Sequence, residues 1–322
     1  MTERLKSIDL LRGLAASAVV LRHSDDRFLL GSIGVDVFFV ISGFVMAQLY
    51  RQRSAPQFLF DRAWRIFPIY WVALVPWLIL GLAGGTGVTA QGTLASALLI
   101  PNWFGISGTY LGVAWTLLFE LLFYAGVALA IRLGSLFVPA LLFATALLAR
   151  PYVDLTLLHF LGSPMIFEFL FGVAIACLPI RRLIGVALLF AGALWLLLFP
   201  NTGLEDYRVA MSYGPAVMRV LLWGLPAAAM VYGALTLERA FKGRTVDALL
   251  VLGAASYSIY LVHTLVTKNI VLWWPAEFLI ALAVGLGLWW AVERPLLALK
   301  PKLFGKRRAG TTDDVAAVQT IG

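Results

Sequence analysis

Between Ile66 and Phe119 the chain carries no Asp, Glu, Lys or Arg. The apolar run that opens it, 66–83, has no charge to present to water and belongs in a bilayer, and 84–112 reads as a long uncharged outer loop. The rest of the chain repeats the pattern with shorter interruptions. About twenty apolar residues cross the hydrocarbon core, and on that measure the sequence contains ten spans: 8–24, 31–50, 66–83, 113–133, 136–150, 160–178, 183–199, 217–237, 249–272 and 276–292. The run Leu94–Pro101 is too short for a crossing and ends in proline, so it reads as a re-entrant or interfacial piece. Charged residues make up 13% of the 322, against about 25% in soluble domains. The expected fold class is all-α, a polytopic membrane helix bundle of about ten transmembrane helices, with no second, soluble domain.

The net charge is +8, from 25 Lys and Arg against 17 Asp and Glu. A basic chain is one signature of nucleic-acid binding, but here the cations stand in short loops between apolar runs, which is a topology signal. Counting from a cytoplasmic N-terminus, the inner segments hold Arg4 and Lys6; Arg51, Arg53, Arg62 and Arg65; Arg132; Arg181 and Arg182; Arg239, Lys242 and Arg244; and a tail from Arg294 to Arg308. The outer loops hold Arg27, Arg150 and Arg208. An even number of spans with both termini cytoplasmic satisfies this alternation. The N-terminus resembles a signal peptide in its basic start and apolar core, but Arg12 interrupts that core, so it reads as an uncleaved first span. Residues 1–300 form the membrane domain, and 301–322 a basic, then disordered, cytoplasmic tail. The one cysteine, Cys177, excludes an internal disulfide, and His23, His159 and His263 are too scattered in sequence for a metal motif.

Ionisable residues inside spans cost roughly 2.5–3.5 kcal/mol on insertion scales and therefore mark functional sites. The first span, Ile8–Ser24, contains Arg12 and His23, eleven residues apart. At about 100° per residue they return to within about 20° of one line, separated by about 16 Å along the axis. Snorkelling to the headgroups explains Arg22 well and Arg12 poorly. Asp36 opens the second span, where the helix dipole alone favours an acid; the short connection places it near His23, beside Asp25 and Asp26, and a carboxylate there can set the imidazole tautomer. Arg62 and Arg65 share a helix face at i, i+3. Two guanidiniums at a cytoplasmic entrance suit phosphate groups, and equally suit positive-inside anchoring. Glu120 and Glu168 are acids within spans, open to pairing with Arg12, Arg22 or Arg219. Asn102–Trp115 is aromatic and glycine-rich, either an interfacial belt or a lining for a saccharide. Tyr257, Tyr260 and His263 form a polar ladder in the ninth span.

In order, IDLLRG…LRHS, GVDVFFVISGF, RAWRIFPIYW, WTLLFELLFY, SYSIYLVH and VERP form a set. The set resembles the acyltransferase 3 family of bacterial integral membrane O-acyltransferases, and within it the exopolysaccharide and lipopolysaccharide O-acetyltransferase branch, over residues 5 to 295. The resemblance implies about ten membrane helices in the bacterial inner membrane, acyl-CoA (acetyl-CoA foremost) as donor, no metal, and a glycan or lipid-linked sugar as acceptor. It makes His23 the essential histidine with Arg12 its motif partner, assigns Arg62 and Arg65 to the acyl-CoA site, and assigns Glu120 to the tryptophan-to-tyrosine motif, whose apolar positions here depart from the family's commoner pattern. Asp36 or Glu120 would orient the imidazole. A multi-span transporter of an anion or lipid-linked sugar suits the same intramembrane charges. A structural subunit of a polysaccharide assembly complex is a third reading.

Overall fold

The computed structural model describes residues 5–50, 52–85, 87–100, 109–153, 156–199, 203–204, 209 and 212–304. The described residues are helical and contain no strand. The helices are α1 (Lys6–Ser24), α2 (Ile33–Leu49), α3 (Ala55–Ala83), α4 (Ala90–Leu98), α5 (Trp115–Leu133), α6 (Phe137–Ala149), α7 (Thr156–Leu161), α8 (Ile166–Cys177), α9 (Arg182–Leu198), α10 (Tyr213–Thr236), α11 (Arg244–Thr267), α12 (Trp274–Leu288) and α13 (Arg294–Phe304). Single π-turns, Val220–Gly224 and Trp289–Glu293, interrupt α10 and join α12 to α13.

Each of the ten expected spans is a helix. Among the described residues, seven helical stretches are long and apolar enough to cross a membrane. The other three differ for physical reasons: α1 carries too many charges, while α6 and α9 are short. The 94–101 run falls on α4, a nine-residue helix capped by the Thr89 hydroxyl, which accepts from the Gly92 amide at 3.0 Å. The third span departs most from expectation. Its helix starts at Ala55 rather than near residue 66, because Ser54 and Gln57 form a capping box with proline in the first turn. Arg62 and Arg65 therefore lie inside a helix, not at its start. The first part of Asn102–Trp115 and the tail beyond Phe304 lie outside the described residues.

Close backbone approach sets the bundle. A Cβ on Gly43 of α2 would lie 1.9 Å from the Phe169 carbonyl oxygen, and one on Gly172 of α8 would lie 1.9 Å from that of Val40. The absent side chains let α2 and α8 touch backbone to backbone. Beside this crossing, Phe39, Phe169 and Phe123 stack across α2, α8 and α5 with ring centroids 4.5 and 4.6 Å apart. On the other flank α1 runs alongside α11, again with glycines, Gly13 and Gly253, at the contact. Ala16 and Val20 of α1 pack there with Ala255 and Ile259.

Candidate active site

A cavity of about 140 Å³ lies where α1, α2, α3, α5 and α11 converge; Arg12, Ser42, Arg62, Arg65, Glu120 and Tyr260 are among the side chains that line it. The fold thus brings Arg12, Arg62, Arg65 and Glu120 to one place from three separate helices. Arg65 Nη1 pairs with Glu293 Oε1 at 2.8 Å. Glu293 is fully buried, and its other oxygen accepts from the Ser258 hydroxyl at 2.5 Å. The Arg65 guanidinium also sits 5.8 Å from the centroid of the Tyr257 ring. Arg62 Nε, by contrast, is buried without a hydrogen-bond partner among the described residues. Glu120 accepts from the Tyr124 hydroxyl one turn along α5 and from Ser42 across the cavity at 3.4 Å. The cavity therefore has one pinned cation, two further cations facing the same space, and one carboxylate held in place by hydroxyls.

The cavity's Tyr260 side leads towards His23. The Tyr260 hydroxyl donates to the Val113 carbonyl at 3.0 Å and meets Thr116 at the same distance. Its ring centroid is 5.8 Å from that of His263, and His263 is 4.8 Å from His23 in an edge-to-face arrangement. His23 itself is exposed, at the end of α1 opposite Lys6. Its Nδ1 lies 2.9 Å from the Val19 carbonyl. A carbonyl accepts only, so Nδ1 carries the hydrogen and Nε2 keeps its lone pair.

The carboxylates expected near His23 are engaged elsewhere. Asp36 is fully buried and takes a two-point contact from Arg219 of α10, at 3.0 and 2.8 Å. Arg219 also donates to the Leu204 carbonyl at 2.8 Å and lies 4.9 Å from the Trp223 ring centroid. Glu168 joins this group, its carboxylate packed against the bare backbone of Gly224. Asp26 pairs with Arg22 at 2.7 Å. Arg27 grips Asp25 through backbone and guanidinium and holds that carboxyl below the usual range. The tautomer of His23 is thus set by its own helix backbone, not by an acid.

Sequence reasoning missed the partners: Glu293 for Arg65, Arg219 for Asp36, and His263 for His23. One signal was present for the last. Gly13 precedes His23 by ten residues and Gly253 precedes His263 by ten. Two parallel helices in contact at those glycines must bring the histidines together. Among the described residues no group of three His, Cys, Asp or Glu side chains is arranged to hold a metal ion.

Residues 5–294 match the model of a family described as an acyltransferase domain. The chain is 33% identical to the exopolysaccharide production protein ExoZ of Rhizobium meliloti (strain 1021), over 84% of this chain and 91% of that protein. It is 28% identical to nodulation protein 10 of Rhizobium leguminosarum bv. viciae, over 94% and 95% of the two chains. No solved structure matches the chain.

Proposed function

The chain belongs to this acyltransferase family, and from that premise we propose that it moves a short acyl group, acetyl foremost, from cytoplasmic acyl-CoA to a hydroxyl of a surface or secreted glycan. The observation that carries the reading is the convergence of Arg12, Arg62 and Arg65 on one cavity beside Glu120. Three guanidiniums in a membrane bundle call for an anionic ligand, and the phosphates at the nucleotide end of a CoA thioester suit their fork geometry. Both termini are cytoplasmic on this reading, in the bacterial inner membrane, so the arginine cavity opens inward and His23 faces outward. The relative named for exopolysaccharide production supports a glycan or a lipid-linked sugar as the acceptor.

Each residue then has a task. Arg12 and Arg62 bind phosphate directly. Arg65 is oriented by Glu293 before the donor arrives, so less freedom is lost on binding. Glu120 holds the cavity's negative corner and keeps Arg12 from facing the two other arginines alone. His23 Nε2 takes the proton from the acceptor hydroxyl as a general base, or takes the acyl group itself and hands it on. Asp36 acts on the site through Arg219 and the crossing of α2 with α10, not through the imidazole.

The test uses membranes carrying the full chain, acetyl-labelled CoA, and the glycan fraction of a strain lacking the protein. The intact chain labels the glycan. His23→Ala, at equal membrane level, loses at least about 100-fold, the lower end of general-base contributions. Equal labelling by both would remove His23 from the mechanism.

A further inference from the structure

His23 does not stand alone. The ring facing it, His263, is fully buried on α11 and has its Nδ1 2.7 Å from the Tyr260 carbonyl. The carbonyl fixes the hydrogen on Nδ1 and leaves Nε2 as a bare lone pair. That Nε2 has no hydrogen-bond partner among the described residues. A buried acceptor left unsatisfied is destabilising, so a fold that only needed to fill this space would do better with an apolar ring. Ser256, Tyr260, His263 and Thr267 recur at helical spacing along α11, which places them on one stripe. The stripe runs from the cavity, which Ser256 and Tyr260 line, to the outer end of the helix. Ser256 Oγ and Thr267 Oγ1 are likewise buried and have no hydrogen-bond partner among the described residues. Two parallel helices therefore end in two imidazoles locked in the same tautomer, each by the carbonyl of its own preceding turn.

We propose that His263 is a positioning residue for acyl transfer, a neutral imidazole that fixes the ring plane of His23 and steadies the imidazolium formed there. The proposal rests on the reading of His23 as the group that receives the acceptor's proton. In that step the acceptor O–H bond breaks and its proton goes to His23 Nε2. The oxygen's electron pair forms the bond to the acyl carbon, the carbon–sulfur bond breaks, and the proton passes to the departing CoA thiolate. His263 takes no proton. The hydrogen bond to Val19 fixes one edge of the His23 ring, and the edge-to-face contact at 4.8 Å and 67° fixes its tilt. A neutral imidazole then lies edge-to-face with a ring that becomes positive during each turnover, and it offers no carboxylate that would trap the proton there.

The experiment compares the intact chain with His263→Phe, His263→Gln and His23→Ala in the same membranes, with acetyl-labelled CoA and glycan acceptor. His263→Phe keeps a ring of similar size and no nitrogen. His263→Gln keeps a polar atom near the place of Nε2. The proposal predicts that His263→Phe lowers kcat at least tenfold with KM for acetyl-CoA within twofold of the intact chain, and that His263→Gln recovers part of the loss. If His263→Phe turns over like the intact chain while His23→Ala is inactive, the proposal fails and the reading of His23 stands. If His23→Ala retains full turnover, the reading of His23 fails and takes the proposal with it. Membrane level and detergent-extracted size of each variant separate loss of turnover from loss of fold.

Discussion

Gly253→Ala tests how α1 and α11 meet. A Cβ at this position would stand 2.0 Å from the Asp9 carbonyl oxygen, where ordinary contact begins at 3.4 Å. The obstacle is backbone, so no rotamer relieves it, and α1 must shift by more than an ångström or tilt. Forcing an extra methyl into a packed interface costs about 1–3 kcal/mol. At about 2–4 °C per kcal/mol for a chain of this order, the melting temperature in detergent falls by roughly 2–12 °C. The same shift moves His23 relative to His263, which are carried by the same two helices, so acyl transfer falls at least tenfold. Gly287→Ala is the control. Nothing lies within 4 Å of a Cβ there, and alanine is the better helix former by about 1 kcal/mol, so this variant melts at or slightly above the intact chain. The assay is thermal unfolding followed by size-exclusion of the fluorescently tagged protein, with label transfer measured on the same membranes. A Gly253→Ala chain that melts and transfers like the intact one would refute the packing argument.

Other outcomes follow from the same geometry. Asp36→Asn breaks a buried pair and leaves Arg219 uncompensated, a loss of about 3–5 kcal/mol; replacing both by apolar residues of similar size, Asp36→Leu with Arg219→Met, is less damaging than the single change, and detergent melting curves decide between the two orders. Glu293→Gln releases Arg65, so it raises KM for acetyl-CoA more than it lowers kcat. In an Arg65→Gln background the same change adds little, and kinetics on the four-member cycle give a coupling outside additive error. Gly172→Ala places a methyl 1.9 Å from the Val40 carbonyl oxygen, and the chain then fails to reach the membrane at the intact level, as an immunoblot of membrane fractions will show.

The apolar runs disclosed the helices because a bilayer leaves the backbone few alternatives, and every expected span is a helix. The start of α3 was harder to see. Hydropathy locates an apolar core, whereas the helix begins where Ser54, Gln57 and a proline satisfy its first amides, eleven residues earlier than expected. Arg12 and Glu120 stood out as charges in the wrong solvent, Arg62 and Arg65 only through the family resemblance, and the fold collects all four around one cavity. What composition could not give was pairing. Asp36 and Arg219 are 183 residues apart in sequence, and Arg65 meets Glu293 only because α3 and the turn after α12 lie together. Asp36 looked like a neighbour of His23 because the connection between their helices is short. Its side chain instead faces α10, while the His23 ring is turned to α11. A short loop fixes which helices adjoin, not which faces they share.

Sealed membrane vesicles of defined orientation test the central claim most directly, since CoA thioesters do not cross a bilayer unaided. Acetyl-labelled CoA is added outside inverted vesicles, which on the proposed topology display the arginine side, and outside right-side-out vesicles, which on that topology display His23. The account predicts label in the acceptor with inverted vesicles, and in right-side-out vesicles only after they are made permeable. Equal labelling in intact vesicles of both orientations, or labelling only from the His23 side, would contradict an arginine cavity that takes the donor from the cytoplasm and passes its acyl group across to His23.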